Sequence, residues 1–343
     1  MIASLVGMAI AVSGCATSQS ATSQSAAAQD TASRTGAAQD TTERDTTARD
    51  TTAQDTTAQD TASAASTPST APSTAAEPEG QAPAGQAAPA LPAPDAAIPA
   101  DPTRLARALT TTTARLQSAI DDWRRDGDPA KGQPPEPVVL LALHQQRIYR
   151  YLVVNPKIAS RTYARLPKAL AGQARDNVTA GRGLRSLVKP ISGAAKFRVQ
   201  PAKPADFLLG HFRYAERKFG VDWEVLAAVM FVETKFGRVR SPSHTGAKGP
   251  MQFMPRTWDA YGMGGDIQDT RDSLLAAANY LRASGAPRDY RRALYAYNHS
   301  YAYVDAVQLH ARQIKRDIRN YYAYYNWQVF VVTTRGDRRL TGP

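Results

Sequence analysis

The sequence predicts a mainly α-helical protein, and three observations support this prediction. From residue 101 onward, apolar residues recur at the three- and four-residue spacing of helices that bury one face. Aspartate, proline and glycine lie where such helices would begin and end. A single β-branched run, WQVFVVTT, occurs near the end of the chain, so we expect one short C-terminal strand there.

The first 15 residues, MIASLVGMAIAVSGC, form an apolar segment that ends at Cys15, the single cysteine of the chain. The small residues before this cysteine resemble a lipobox, which predicts a signal peptide that is cleaved at Cys15 and a lipid anchor on that residue. An ordinary signal peptide with an incidental cysteine is the alternative. No lysine or arginine precedes the apolar segment, so a truncated start is a further interpretation.

Residues 16–100 are predicted to be a long disordered tether. They contain a five-residue repeat (TTARD, TTAQD, TTAQD) followed by a stretch rich in proline, alanine, serine and threonine, and no aromatic residue. Such a segment buries too little apolar surface to offset the conformational entropy lost on folding. We expect it to separate a membrane anchor from the folded part of the chain.

Charge is divided unevenly between the tether and the folded part. Residues 16–100 contain 3 basic and 10 acidic residues, whereas residues 101–343 contain 39 basic and 20 acidic residues. The folded part should therefore favour anionic partners such as nucleic acid, acidic lipids or cell-wall polymers. No nucleic-acid-binding motif accompanies the charge, and export argues against a nucleic-acid partner.

The helices divide into two groups. Residues 101–195 are predicted to be a helical N-terminal segment, with Leu105, Leu109, Leu116, Ile120 and Trp123 at helical spacing in its first helix. The part after residue 156 is expected to hold one or two short helices in a basic loop. Residues 196–343 form the second domain, whose helices carry clear start and stop signals at Gly220, Asp222 and Gly237.

One helix of the second domain, WEVLAAVMFVETKFG, is apolar nearly all round and carries Glu233 near its end. At about 100° per residue, Leu226 and Glu233 lie on one side of this helix with Met230 beside them. Burial and the carbonyl end of a helix both raise the pKa of a carboxyl group, and a neutral carboxylic acid can act as a general acid. Periodicity alone leaves open that Glu233 reaches solvent, or pairs with Lys235 or Arg238.

The residues after Glu233 resemble a known family. SHTGAKGPMQFMP at 243–255 is similar to the Ser-x-x-Gly-Ala-x-Gly-Leu-Met-Gln pattern and Met-Pro pair of the soluble lytic transglycosylases (SLT, goose-lysozyme-like), and ALYAYN at 293–298 resembles their later Ala-Tyr-Asn motif. Thr234 replaces the usual serine, Pro250 replaces leucine, and one additional residue separates Glu233 from Ser243. The resemblance covers roughly residues 204–332, and the end of the domain resembles the actinobacterial secreted branch.

The resemblance implies a lysozyme-like helical transglycosylase domain that binds peptidoglycan glycan strands. Members cleave the MurNAc–GlcNAc β-1,4 bond and leave a 1,6-anhydro-MurNAc end, with one glutamate acting first as acid and then as base. That glutamate is Glu233 here. The resemblance also implies substrate contacts from eight residues: Ser243, Gly246, Ala247, Gly249, Met251, Gln252, Tyr297 and Asn298. The glycines and Ala247 also suit simple turns, and core packing is an equally good interpretation of Met251.

Other residues near these motifs have structural interpretations. Asp266, Asp269 and Asp272 are interpreted as turn and helix-cap residues rather than as a second catalytic carboxylate. Five aromatic residues, Phe253, Trp258, Tyr261, Tyr301 and Tyr303, suit a sugar-stacking wall but are more often core residues. The five histidines lack metal-ligand spacing, and we expect no metal and no cofactor.

Two alternative functions remain open at this point. A hydrolytic muramidase would cleave the same bond with water, and such glycosidases normally use two carboxylates. A non-catalytic wall-binding lipoprotein would keep the fold without the chemistry.

Overall fold

The computed structural model describes residues 90–192 and 198–341, and this part of the chain is mainly α-helical, as predicted. The predicted signal peptide, Cys15 and most of the predicted tether lie outside the described residues. The last residues of the tether as predicted, 90–100, contact the folded part instead of leaving it. Leu91 and Ile98 pack against the core, and the Arg147 guanidinium donates a hydrogen bond to the Ala96 carbonyl at 2.6 Å.

Residues 90–192 contain four helices. They are α1 (Pro102–Asp126), α2 (Glu136–Val154), α3 (Pro156–Tyr163) and α4 (Lys168–Ser186). All five residues that predict α1 are buried, and the Asp101 carboxylate caps the helix by accepting from the backbone N–H groups of Thr103 and Arg104. The helical N-terminal segment is therefore present.

Helix α4 is longer than the sequence predicts for this region. It runs for 19 residues, although its three glycines are typical of a loop. One of these glycines lies where α10 approaches closely, since a Cβ atom at Gly183 would lie 3.1 Å from the Ala302 carbonyl oxygen. Close packing against α10 outweighs the low helix propensity of glycine here.

Seven helices and a hairpin follow residue 198 in the described chain. The helices are α5 (Ala205–Phe219), α6 (Trp223–Thr234), α7 (Pro255–Tyr261), α8 (Thr270–Ala283), α9 (Tyr290–Tyr297), α10 (Tyr301–Arg316) and α11 (Arg319–Tyr325). Helix α6 packs against α5, α8, α10 and α11. Every residue from Val225 to Thr234 is buried, which explains why its sequence is apolar all round.

The two groups of helices share one hydrophobic core. Helix α4 packs along α10, and α1 packs against α11. An ion pair strengthens the first contact, because the Asp176 carboxylate accepts from the Arg312 guanidinium at 2.6 Å. None of the helices within the described residues is long and apolar enough to cross a membrane.

The predicted C-terminal strand is present as β1 (Phe330–Thr333), and it pairs antiparallel with a second strand, β2 (Gly336–Arg339). The hairpin is fixed to the N-terminal helices by charge. Asp337 on β2 accepts from Arg150 of α2 at 2.5 Å and from Arg185 of α4 at 2.7 Å. Because these three side chains are only partly exposed, the pairs are less screened than surface pairs.

Two of the predicted helix signals act differently from the prediction. Gly220 ends α5 in a left-handed conformation, as predicted. Asp222 occupies the N-cap position of α6 but makes no cap hydrogen bond; its carboxylate instead accepts from Tyr290 and Lys315. Helix α6 ends at Thr234, before Gly237, because Lys235 and Phe236 already adopt positive φ angles.

Candidate active site

Glu233 lies in the last turn of α6 with no exposed surface. The helices that pack against α6 surround Glu233, and α10 makes the most extensive of these contacts with α6. The interpretation that Glu233 reaches solvent at the helix end is therefore wrong in this structure. Pairing with a cation is not observed either, since no ion pair of Glu233 occurs among the described residues.

The two carboxyl oxygens of Glu233 have different environments. Oε1 accepts a hydrogen bond of 2.8 Å from the Tyr303 hydroxyl group, and Oε2 is buried without a partner in the described part of the chain. Burial raises the pKa of Glu233 well above its ordinary value, while the Tyr303 hydrogen bond and the Lys235 charge oppose the rise. The burial of Glu233 and the direction of its pKa shift agree with the predicted environment of this carboxyl group.

Tyr303, in the first turn of α10, is the residue of this site that the sequence reasoning missed. It was grouped with aromatic residues of the core, and it is indeed fully buried. The predicted tyrosine, Tyr297, is also buried, but its hydroxyl group donates to the Met251 carbonyl at 2.7 Å. The Glu233 charge contributes to a raised pKa of Tyr297, so both tyrosines lie near the carboxyl. No pattern in the sequence distinguishes the two roles.

Lys235 lies close to Glu233 in the chain, but its ammonium group contacts Phe231 instead. Its ammonium group donates to the Phe231 carbonyl at 2.9 Å and lies 4.2 Å from the centre of the Phe231 ring. Burial, together with the charge of Arg150, lowers the pKa of Lys235 to about 7. A lysine of this kind loses its charge near neutral pH, and with it the stabilisation that it gives to an ionised Glu233.

The two substitutions within the motif, Thr234 and Pro250, contact each other. The Thr234 hydroxyl group donates to the Pro250 carbonyl at 2.7 Å and accepts from the Gly237 N–H at 2.8 Å. This hydroxyl therefore joins the end of α6 to the loop that carries the motif. Threonine supplies the same hydroxyl group as serine, so the substitution preserves the connection.

Ser243, Gly246 and Ala247 form a tight turn in that loop. The Ser243 hydroxyl accepts from the Ala247 N–H at 2.9 Å, and the backbones of the two residues are also hydrogen-bonded. Ser243 thus shapes the loop, and within the described chain its hydroxyl group bonds to loop residues rather than to Glu233. Gly246 has a positive φ of 89° and open space where a Cβ atom would lie, which leaves its backbone accessible.

Gly249 has a structural reason for being glycine. A Cβ atom there would lie 1.9 Å from the Ile267 carbonyl oxygen, and its φ of 76° is unfavourable for other residues. The sequence reasoning allowed both turn chemistry and contact with a glycan at this position. The structure accounts for the glycine by close packing within the protein.

Met251 and Gln252 follow Gly249 in the same loop, and both are buried. Met251 belongs to the core, and its carbonyl anchors Tyr297. Gln252 has a positive φ of 52°; its amide nitrogen donates to the Gly249 carbonyl, while its Oε1 is buried without a partner among the described residues. Strained backbone with an unpartnered polar atom is a common feature of functional sites.

The last predicted contact residue, Asn298, follows α9 and is 5% exposed. The three aspartates keep the structural roles predicted for them. Asp269 caps α8, Asp266 accepts from the Gln268 N–H, and Asp272 accepts from the Asp266 N–H. No carboxylate is among the groups in the described chain that shift the pKa of Glu233.

Comparison with known proteins agrees with the resemblance of the motifs. Residues 210–319 match the family described as Transglycosylase SLT domain. The chain is also 37% identical over 71 residues to the membrane-bound lytic murein transglycosylase F of Thiobacillus denitrificans (strain ATCC 25259 / T1), an alignment that covers 21% of this chain and 15% of that protein. No solved structure matches the chain.

The matched region contains most of the site. It begins within α5, ends at the start of α11, and includes Glu233, the loop after it, and Tyr303. The aligned part is a small fraction of the Thiobacillus protein, so the likeness concerns this domain. Residues 210–319 are therefore the part of the chain that is similar to the Transglycosylase SLT domain family.

Proposed function

We propose that this protein is a lytic transglycosylase that cleaves the MurNAc–GlcNAc β-1,4 bond of peptidoglycan and leaves 1,6-anhydro-MurNAc ends. The observation that carries the proposal is the environment of Glu233. A single carboxyl is fully buried, its pKa is raised, and one of its two oxygens has no partner within the described residues. This oxygen is available to a reacting group.

The proposed chemistry needs only this one carboxyl group. Glu233 begins protonated and donates its proton to the glycosidic oxygen as the bond to the MurNAc C1 breaks. The substrate's own N-acetyl group stabilises the positive charge that develops at C1. The Glu233 carboxylate then removes the proton of the C6 hydroxyl, whose oxygen closes the anhydro ring, and the enzyme regains its starting state.

Tyr303 is placed to assist both halves of this cycle. A hydrogen bond to Oε1 fixes the orientation of the carboxyl and stabilises the ionised form between the two steps. The remaining oxygen, Oε2, then carries the proton. Since Glu233 has no exposed surface, a glycan strand reaches it only after the surrounding side chains separate.

Product analysis tests the proposal. Digestion of purified peptidoglycan, followed by mass spectrometry, should give fragments that end in 1,6-anhydro-MurNAc. Glu233→Gln should abolish these products while it preserves the fold, because glutamine keeps the shape of the side chain without an acidic proton. Arg291→Gln, in an exposed ion pair with Asp305, is the matched surface control and should leave the products unchanged.

The same digestion separates the alternatives. Reducing ends without anhydro-MurNAc would contradict the proposal and indicate a muramidase that uses water. Products that persist in Glu233→Gln would exclude Glu233 as the acid. Wall binding without any cleavage by the unaltered protein would indicate a non-catalytic wall-binding protein.

We further propose that a lipid anchor on Cys15 holds the enzyme on the outer face of the cell membrane, with the cell wall in reach. The support is the apolar segment that precedes the only cysteine of the chain. Cys15→Ser should transfer the protein from the membrane fraction to the soluble fraction. Unchanged fractionation would contradict the anchor and leave the proposed chemistry unaffected.

A further inference from the structure

A second polar site lies on the other side of the helix turn that carries Glu233. A partly open cavity of about 80 Å³ is lined by α2, α4, the end of α6, α10 and the hairpin. Phe231 and Val232, the residues just before Glu233, form part of its wall, and Lys235 lies in the same lining. Since about 10–15 Å³ of such free space is enough for one water molecule, the cavity has room for several waters or one small organic molecule.

The charged groups of the cavity are predominantly basic. Arg150, Arg185 and Lys235 line it together with a single carboxylate, Asp337, which both arginines already bind. The charged and titratable groups that line the cavity or act on Lys235 are Tyr149, Arg150, Arg185, Glu233, Arg238, His310 and Asp337. His310 is neutral, because burial lowers its pKa to about 3.

The same cavity holds several buried polar atoms without a hydrogen-bond partner in the described chain. They are Tyr149 Oη, Arg150 Nε, Trp327 Nε1 and His310 Nδ1. Of these, Arg150 Nε and Trp327 Nε1 can only donate. Trp327 and His310 are 7% and 3% exposed, so open solvent does not satisfy them. Buried donors without acceptors are costly, and a cluster of them commonly indicates a missing water, ion or ligand.

The rest of the wall is apolar. Phe330 lies against the Arg150 guanidinium, with 4.5 Å between the guanidinium carbon and the ring centre, and Val153 and Leu184 lie among the lining residues. A ligand that satisfies both parts of this wall has an acceptor group with a negative charge and a short apolar body.

We propose that this cavity binds a small organic carboxylate, whose oxygens accept from Arg150 Nε and Trp327 Nε1 beside the Lys235 ammonium group. The short apolar body of the ligand lies against Phe231 and Phe330. This site is separate from the carboxyl of Glu233, and the proposal does not rest on the reaction proposed above.

Titration with sodium propionate tests the site directly. The chain has four tryptophans, and the indole N–H of Trp327 gives its own signal in a ¹H–¹⁵N spectrum, assigned by its loss in Trp327→Phe. Propionate should shift this signal saturably, whereas neutral propionamide and sodium chloride of equal ionic strength should not. An absence of saturation below about 10 mM propionate, or an equal effect of propionamide, would overturn the proposal.

Variants of the charged residues provide a second test. Lys235→Met should weaken propionate binding roughly tenfold, since a charge-assisted contact is lost. Lys218→Met, which changes a lysine at the end of α5 outside the cavity, should have no effect. If Lys235→Met does not fold, Asp337→Asn serves instead, because it removes the competing carboxylate and should tighten binding. Unchanged affinity in the folded variant would overturn the proposal.

A larger probe distinguishes a free small carboxylate from the carboxylate at the end of a peptide. Acetyl-D-alanine presents the carboxylate that ends a peptide, and the small volume of the cavity predicts that it binds at least about tenfold more weakly than propionate. Tighter binding of acetyl-D-alanine would support a carboxylate site that takes peptide ends. Bound propionate should also raise the pKa of Lys235, which the ¹⁵N signal of its ammonium group reports.

Discussion

At the scale of single residues, the hydrogen bond between Tyr303 and Glu233 is the contact that defines the site. A hydroxyl group that donates to a carboxylate favours the ionised form and so opposes the effect of burial. Fixed orientation of the carboxyl and a moderated pKa are both consequences of this one contact.

Tyr303→Phe should therefore raise the pKa of Glu233 further and reduce peptidoglycan cleavage. Loss of a hydrogen bond to a charged group costs about 1.5–3 kcal/mol, which corresponds to roughly 10- to 100-fold in rate. A general acid loses activity as the pH rises through its pKa, so the alkaline limb of the pH profile should move to higher pH. Tyr301→Phe, at a neighbouring tyrosine that is 56% exposed, is the control. A pH profile that does not move would refute the role given to Tyr303.

The two motif glycines should respond differently to substitution. Gly249→Ala places a Cβ atom against the Ile267 carbonyl and should lower the free energy of unfolding by a few kcal/mol. Gly246→Ala meets open space and should cost only about 1 kcal/mol, from its positive φ. Urea denaturation of both variants measures the difference. Equal destabilisation would show that close packing is not the reason for Gly249.

At the scale of secondary-structure elements, the connection between α6 and the motif loop depends on the Thr234 hydroxyl. Thr234→Val keeps the shape of the side chain and leaves the Pro250 carbonyl and the Gly237 N–H without their buried partner. We expect a loss of about 1–3 kcal/mol in unfolding free energy and faster amide exchange in the loop. Thr234→Ser should be close to the unaltered protein, and a loss as large as that of valine would contradict this account.

The sequence predicted some elements well and others poorly, for identifiable physical reasons. An apolar pattern on every side of α6 requires burial, and the structure confirms it from Val225 to Thr234. The end of that helix was predicted at Gly237, because glycine is the usual residue in the left-handed conformation. Lys235 and Phe236 adopt that conformation instead, which tertiary contacts impose and local sequence does not report.

Side-chain partners across the fold were the least predictable part of the site. Periodicity places Glu233 on the same side of its helix as Leu226 but leaves its burial open, and the family motif identifies the loop. The choice of Tyr303 rather than Tyr297 as its partner depends on how α9 and α10 are oriented, and the packing between helices determines that. The role of Gly249 depends likewise on Ile267, a residue 18 positions away.

At the scale of the whole molecule, the helices predicted within residues 101–195 pack against the helices that form the site. The predicted domain boundary at residue 195 separates two groups of helices that share a core, through α4 with α10 and α1 with α11. Tyr303, one of the two residues that define the site, belongs to α10. The packing of α4 against α10 therefore helps to position it.

A fragment that begins at residue 198 should therefore lose its fixed tertiary structure. Removal of α4 exposes the apolar face of α10, and the fragment should keep helical far-ultraviolet circular dichroism with little near-ultraviolet signal. The matched fragment that begins at residue 90 keeps every described helix and should have native spectra. A cooperative thermal transition of the shorter fragment at the same temperature would contradict the shared core.

Burial of Glu233 also affects the stability of the whole molecule. Its folded pKa lies above the unfolded value, so the folded state holds a proton that the unfolded state releases. Stability should fall as the pH rises above about 4.3 and level off above the folded pKa, by about 1.4 kcal/mol for each unit of difference. Glu233→Gln removes this dependence.

The ionisation of Glu233 itself is the most direct test of the account. Carbon-13 NMR of labelled glutamate carboxyl groups, with Glu233→Gln to identify the signal, gives the titration of this group in the folded protein. We expect a carboxyl group that stays protonated well above the ordinary glutamate pKa of about 4.3. A signal that titrates at about 4.3 would contradict it, because an ionised Glu233 cannot supply the proton on which the proposed cleavage depends.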